Sequence, residues 1–333
     1  MSDIIEINHL VKEFKVLNNH GGLKGAFQDL FSHDYRLVRA VDDITMSVKQ
    51  GEIVGYLGPN GAGKSTTIKM MTGILKPTSG EILVDGNVPH YNRTKNAQNI
   101  GVVFGQRSQL WWSLPLIESF NLLKSIYKIA DVEYSNMLDF YSSLVDITHI
   151  INKPIRQMSL GQRILSDILA AFLHNPKIVF LDEPTIGLDV SMKAIIRKLI
   201  LALNNEKKTT VILTTHDMSD VEALCERIVI IDKGKMIFDN RIEYLRTYFG
   251  SYRTLKIRIE EHTTEQIEWL KKEFSFWDIY INDEWITILV DESKASVVDV
   301  LEKVHNYFYI KDIQLEDISI EEVIKKIYEG RIK

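Results

Sequence analysis

"GPNGAGKS", residues 58–65, is the stretch on which the reading of this chain turns. It fits G-x-x-x-x-G-K-[ST] and carries the flanks that pattern requires, the apolar strand "EIVGYL" (52–57) before it and the helical "TTIKMMTGIL" (66–75) after it. Average composition produces such a string by chance in about one chain in a hundred of this length, without those flanks. Gly58, Gly61 and Gly63 free the backbone to turn its N–H groups inward as a cradle for phosphate oxygens, with Asn60 and Thr66 in the same segment. The helix start beyond adds its dipole. Lys64 is placed to reach a β- and a γ-phosphate, and the Ser65 hydroxyl to hold Mg²⁺.

A phosphate loop needs an acid at the end of an apolar strand. "IVFLDE" (178–183), about 120 residues on, supplies two. Asp182 is expected to hold Mg²⁺ through water, and Glu183 to orient and deprotonate an attacking water. The strands "IVFL" (178–181) and "VIL" (211–213) are apolar throughout, which predicts a parallel sheet covered on both faces. Helices are expected at 191–204 and 218–224, and a strand at "RIVIID" (227–232). Residues 116–150 show helical periodicity only, so a helical subdomain, about 107–165, interrupts the α/β pattern. Residues 4–57 read as strands around an insert, "NNHGGLKGAFQDLFSHDY", with one short helix from Leu23 to Phe31.

Length and composition narrow the class. The 333 residues allow two domains, and 45% hydrophobic with 26% charged residues is ordinary for a globular protein. A net charge of −5 argues against a general nucleic-acid binder, and no nucleic acid is expected as a partner. The single cysteine, Cys225, excludes a disulfide framework and fits a reducing compartment. No basic-then-apolar leader opens the chain, and no apolar run approaches the roughly eighteen residues a membrane span needs. The expectation is a cytoplasmic protein whose membrane role runs through a partner.

"RQMSLGQRIL" (156–165) poses a separate question. Ser159 and Gln162 match the Ser-x-x-Gln capping box, in which each side chain satisfies an orphan backbone N–H. Gly161, just before the Gln, costs helix stability and needs a reason of its own.

Together these motifs resemble the ATP-binding cassette (ABC) ATPases over roughly residues 1–240. The resemblance implies an α/β fold of the P-loop NTPase class, with a mixed, largely parallel core sheet, antiparallel strands and the helical subdomain, in a nucleotide-binding domain set at 1–245. In that family a sequence that usually reads Leu-Ser-Gly-Gly-Gln reaches across a head-to-tail dimer to the partner's ATP. Carried over, Ser159, Gly161 and Gln162 bind the partner's nucleotide, and Gly161 leaves the γ-phosphate room beside the backbone. Leu160 stands where the family usually has its first glycine, a departure that bears on turnover.

Further positions follow from the same resemblance. Phe14, in "VKEF", resembles the aromatic that stacks on adenine, set against its plain reading as a core residue. Gln106 resembles the lid glutamine that senses the γ-phosphate and Mg²⁺. Its spacing from Gly101 is one residue longer than usual, which leaves Gln109 or a bulge as alternatives. Asp189, in "IGLDV", fits the loop that contacts the partner's phosphate loop. His216, about 30 residues after Glu183, fits the histidine that bonds the γ-phosphate. Trp111 and Trp112 lie on a segment that in this family faces the transmembrane partner, and burial between subdomains is the rival reading.

The resemblance extends to the bacterial subgroup that pairs with ABC type-two permeases, similar to drug- and polymer-exporter ATPases. It implies an ATP- and Mg²⁺-dependent ATPase subunit, paired with a second nucleotide-binding domain as a homodimer and with an integral-membrane permease, at the inner face of the cell membrane. Export is the expected direction. Two other readings fit the same motifs: a soluble cassette ATPase outside transport, and a nucleotide-gated module that barely hydrolyses. Beyond residue 250, "LKIRIE", a helix capped by Thr263 with Gln266, "WDIYI", "ITILV", a helix over 293–306, "IKDIQL" and a last helix capped by Ser319 with Glu322 suggest a small α+β ferredoxin-like domain, 250–333.

Overall fold

A computed structural model describes residues 3–17, 35–105, 108–248, 252–260, 262–282 and 284–328. The helix expected from Leu23 to Phe31, and Gln106, lie outside the described residues. The chain divides into two compact units, residues 1–240 and 241–333.

In the first unit two sheets share one core. β1 (Asp3–Leu17), β2 (Tyr35–Lys49) and β4 (Ser79–Val84) form an antiparallel sheet in the order β2-β1-β4. The second sheet holds β3 (Ile53–Leu57), β5 (Ile100–Phe104), β6 (Ile178–Asp182), β7 (Thr210–Thr214), β8 (Arg227–Asp232) and β9 (Lys235–Arg241), in the order β5-β6-β7-β3-β8-β9. From β5 to β8 its neighbours run parallel. Every residue of β3 and β7 is buried, the burial on both faces that their unbroken apolar sequence predicts. Ile5, Ile7 and Ile44 of the antiparallel sheet, Val54 and Tyr56 of β3, and Ile68 of the intervening helix α1 (Lys64–Met71) belong to one cluster. Each fully buried side chain of this size contributes about 1.5–3 kcal/mol.

No strand interrupts the described residues from 108 to 165. α3 (Leu116–Tyr127) and α4 (Asp131–Leu144) fill most of that stretch, and a 3₁₀ turn (Ile155–Gln157) leads into α5 (Leu160–Phe172). The buried Tyr141 hydroxyl of α4 donates to the Leu169 carbonyl of α5 at 2.7 Å, which joins the helical segment to the long apolar helix behind it. Then follow α6 (Val190–Lys207) and α7 (Met218–Leu224). The short α2 (Arg93–Asn99) was not legible, because its only buried residue is Asn96 and no apolar stripe marks it. β9 and α8 (Ile242–Tyr248) were likewise unexpected.

In the second unit β10 (Tyr252–Ile259), α9 (Thr264–Glu273), β11 (Ile279–Asn282), β12 (Trp285–Asp291), α10 (Val297–His305), β13 (Ile310–Asp317) and α11 (Ile320–Tyr328) succeed one another. The sheet is antiparallel in the order β11-β12-β10-β13, the ferredoxin-like arrangement. The Thr263–Gln266 box caps α9 as expected. Two boundaries differ from expectation. The helix set at 293–306 begins only at Val297, because the Asp291 carboxylate turns the backbone at Ser293 and Ser296 with Asp299 supplies the cap. Trp277 lies outside the strand, its ring stacked on Phe274 at 5.4 Å in the core.

Candidate functional site

The phosphate loop leaves β3 at its carboxyl end and enters α1 through Gly63, whose φ is +109°. A Cβ at Gly63 would stand 2.4 Å from the Ala40 carbonyl, so glycine is required by space as well as by φ. No side chain caps α1, so its first-turn N–H groups have no capping partner, and Lys64, Ser65 and Thr66 of that turn line open space. The β8–β9 turn, Lys233 and Gly234 both at positive φ, braces the loop: the Gly234 N–H donates to the Ala62 carbonyl at 2.9 Å, and the Gly234 carbonyl accepts from the Asp42 N–H at 2.8 Å. Lys64 Nζ donates to the Gly58 and Pro59 carbonyls at 2.5 and 3.1 Å. Burial lowers the Lys64 pKa, opposed by the charges of Glu183 and Asp182.

A cavity of about 480 Å³ opens over this loop, lined by Asn60, Gly61, Gly63, Lys64, Ser65 and Thr66 and, from neighbouring strands, by Ala40, Gly105, Asp182 and Glu183. Asp182 ends β6 and pairs in register with Thr214, whose hydroxyl donates to its carboxylate. Glu183 follows at φ +53°, a left-handed conformation held by its N–H to the Thr214 carbonyl at 2.9 Å. Such backbone persists where the surroundings enforce it. His216 Nδ1 lies 3.1 Å from Glu183 Oε1, so the loop after β7 delivers the histidine to the acid. The Ser65 hydroxyl and the Asp182 carboxylate are hard oxygen donors on one cavity, which suits a hard divalent cation completed by phosphate and water.

The other half of the expected machinery lies elsewhere. Ser159 caps α5, and the box is formed in both directions at 3.2 Å, with Lys153 Nζ also on Gln162 Oε1. None of Ser159, Gly161, Gln162 and Asp189 lines the cavity. The space beside Gly161 is filled from within the chain: a Cβ there would meet Met192 Cγ at 2.8 Å. Asp189 caps α6 by accepting from Met192 N–H at 2.9 Å. These loops therefore support each other through one methionine.

Phe14 is 36% exposed on β1, which removes its reading as a core residue, and lies opposite Val38, two residues along β2 from cavity-lining Ala40. Trp111 and Trp112 are 40% and 53% exposed, so burial between subdomains is overturned. Gln109 donates its side-chain N–H to the Val102 carbonyl at 3.0 Å and does not line the cavity, whereas Gly105, the neighbour of Gln106, does.

The family description that matches residues 41–186 is ABC transporter. The ABC transporter ATP-binding protein NatA of Bacillus subtilis is 33% identical over 215 residues, which cover 65% of this chain and 87% of NatA. The chain belongs to the ABC transporter ATP-binding proteins. The bacitracin transport ATP-binding protein BcrA of Bacillus licheniformis is 31% identical over 76% of this chain and 80% of its own. Among solved structures, cbiO1 of Clostridium perfringens, part of the ABC transporter complex cbiONQ, matches with a TM-score of 0.60 at 28% identity, covering 74% of this chain and 92% of that one. The ATP-binding cassette MJ0796, solved as a dimer in a post-hydrolysis state bound to ADP and Pi, matches at 0.57 and 26% identity over 72% of this chain and 98% of its own. This ABC subunit is thus an ATPase that binds ATP.

Sequence reasoning missed the supports behind these groups. Asp220 is fully buried and accepts from Thr185, which follows the Glu183 turn, and from Arg197 Nε of α6 at 2.6 Å. Lys193 and Ser219 hold Asp217, next to His216. Burial works to raise the Asp217 carboxyl, but those hydrogen bonds outweigh it and hold it at about 2. The available signal was an acid at position 220 on the apolar face of α7, beside Val221 and in line with Leu224.

Proposed function

We propose that two copies of this ABC subunit sandwich two ATP molecules, each between the phosphate loop of one chain and the Ser159 loop of the other, and that the closure drives export through a separate membrane permease. The observation that carries this reading is the division of labour within one chain. Lys64, Ser65, Asp182 and Glu183 share one cavity, while Ser159 lies outside it. The Ser159 box satisfies the first and last of four donors at the α5 start, so the Leu160 and Gly161 N–H groups remain for a phosphate brought by a partner. The dimeric state of MJ0796 supports the pairing, and the membership of cbiO1 in an ABC transporter complex supports the permease.

In the closed pair, Glu183 takes a proton from the attacking water and His216, held on Glu183, bonds the γ-phosphate. Lys64 exchanges its loop carbonyls for β- and γ-phosphate oxygens. Ser65 and Asp182 would hold Mg²⁺, which would supply positive charge to offset that of the triphosphate. Gln106 acts as the γ-phosphate sensor, and Phe14 stacks on the adenine. Closure does work because the closed state binds ATP better than the open one. Trp111 and Trp112, exposed shortly after Gln106, pass the movement to the permease, and on this reading the subunit works at the inner face of the membrane.

Affinity purification of the tagged chain from solubilised membranes tests the partner: a polytopic membrane protein is expected, and recovery of ribosomes or DNA instead contradicts it. Deleting the gene tests direction. Sensitisation to a panel of toxic amphiphiles is expected for export, and a growth defect cured by richer medium contradicts it.

A further inference from the structure

The segment after Gln106 is fastened to α5 at one buried point. Asp167 lies two turns beyond Ser159 on that helix, and its Oδ1 accepts from Ser108 Oγ and from Gln109 N–H, both at 3.0 Å. Leu110 N–H donates to Ser108 Oγ at 3.2 Å, which extends the grip by one residue. A second set of contacts follows on the same helix and the turn before it. The Arg163 guanidinium stands 5.4 Å from the Trp112 ring, and the Arg156 and Ile155 N–H groups donate to the Trp112 and Leu114 carbonyls at 2.9 and 3.1 Å. An acid on the buried side of a helix is costly unless it is hydrogen-bonded, and here this one segment brings two donors to its Oδ1.

We propose that Asp167 is a positioning residue that clasps segment 108–112 to α5, so that the permease-facing tryptophans and the Ser159 end of the helix move as one body when ATP closes the dimer. The inference rests on the ATP-driven closure proposed above. Both donors meet a single oxygen, so the clasp depends on an acceptor and not on the charge. Asparagine, whose side-chain carbonyl supplies one such oxygen, keeps it; alanine abolishes it. Ser108 tests the clasp from the other side, where Ser108→Ala removes one of the two donors.

Hydrogen exchange of the full-length chain, carrying Glu183→Gln to trap ATP, reads this directly, because the Gln109 amide is itself one of the clasp's donors. ATP is expected to change exchange in residues 108–114 and in 160–172 together. With Asp167→Ala added, the response in 160–172 persists and that in 108–114 is lost; Asp167→Asn restores it and Ser108→Ala gives a partial loss. On the wild-type background, Asp167→Ala is expected to lower kcat about tenfold with KM for ATP unchanged, and Asp167→Asn to recover it. Concerted exchange that survives Asp167→Ala, or an asparagine variant as impaired as the alanine one, overturns the clasp. Should ATP fail to dimerise the Glu183→Gln parent, the closure itself is overturned, which separates the two failures.

Discussion

The phosphate-loop half and the Ser159 half of this ABC subunit are both helix starts, yet they are finished in opposite ways. α1 begins at a glycine with no side-chain cap and opens on a cavity lined by two acids. α5 begins with a closed capping box and α6 with an aspartate cap, and Met192 fills the space between them. The first half is left without a cap; the second is closed by its own side chains and leaves only two first-turn donors outside the box. Such an asymmetry suits a site assembled from two chains, in which one face holds the nucleotide at all times and the other meets it on closure.

Substitutions at the two halves should separate along that line. The largest effect is expected at the acid: Glu183→Gln lowers ATP turnover by about a thousandfold while ATP binding is retained, measured by phosphate release and by calorimetry. Equal loss in binding would place Glu183 in the cradle instead. Next, Lys64→Ala weakens ATP binding to the dilute monomer by about ten- to a hundredfold, whereas Ser159→Ala leaves monomer affinity unchanged and costs about 1 kcal/mol of helix capping. Equal weakening by both would erase the contrast.

A pH effect at the clasp is smaller. Burial pushes the Asp167 carboxyl up to about 6, against the Gln109 amide, the Ser108 hydroxyl and the Arg163 charge. Between its unfolded value and about 6 the folded chain holds a proton that the unfolded chain has released, so stability falls as pH rises through this window and the cost is complete above it. Asp167→Asn removes the cost: relative to wild type it gains about 2 kcal/mol on going from pH 4 to pH 8, read from denaturant melts. A difference independent of pH contradicts the raised value. Phe14→Ala, on the strand paired with the one that carries cavity-lining Ala40, is expected to weaken ATP binding by about 1 kcal/mol without altering GTP discrimination, since stacking accepts any purine; unchanged affinity would remove Phe14 from the site.

The sequence revealed most where the chemistry is contiguous. Gly58 to Ser65 needs only its own strand and helix to be read, and Asp182 with Glu183 needs only the apolar run before it. What depends on distant contacts was hidden. Gly161 looked like room for a phosphate, and the structure shows a neighbour 31 positions away, Met192, occupying that space. Asp167 and Asp220 sit in otherwise apolar helices, and their donors, Ser108 and Gln109 for one, Thr185 and Arg197 for the other, come from segments that no periodicity links to them. The exposure of Phe14, Trp111 and Trp112 likewise followed from packing and not from residue type. In the second unit the two helix caps could be read in advance at Thr263 and Ser319, but the one at Ser296 emerged only with the turn that precedes it.

Light scattering of the Glu183→Gln chain, with and without saturating ATP, tests the shared site most directly. The account predicts a monomer that becomes a dimer on adding ATP, and a monomer throughout once Ser159→Arg is introduced, with single-chain ATP affinity untouched. A chain that stays monomeric with ATP bound, or an arginine variant that dimerises as readily as its parent, contradicts it.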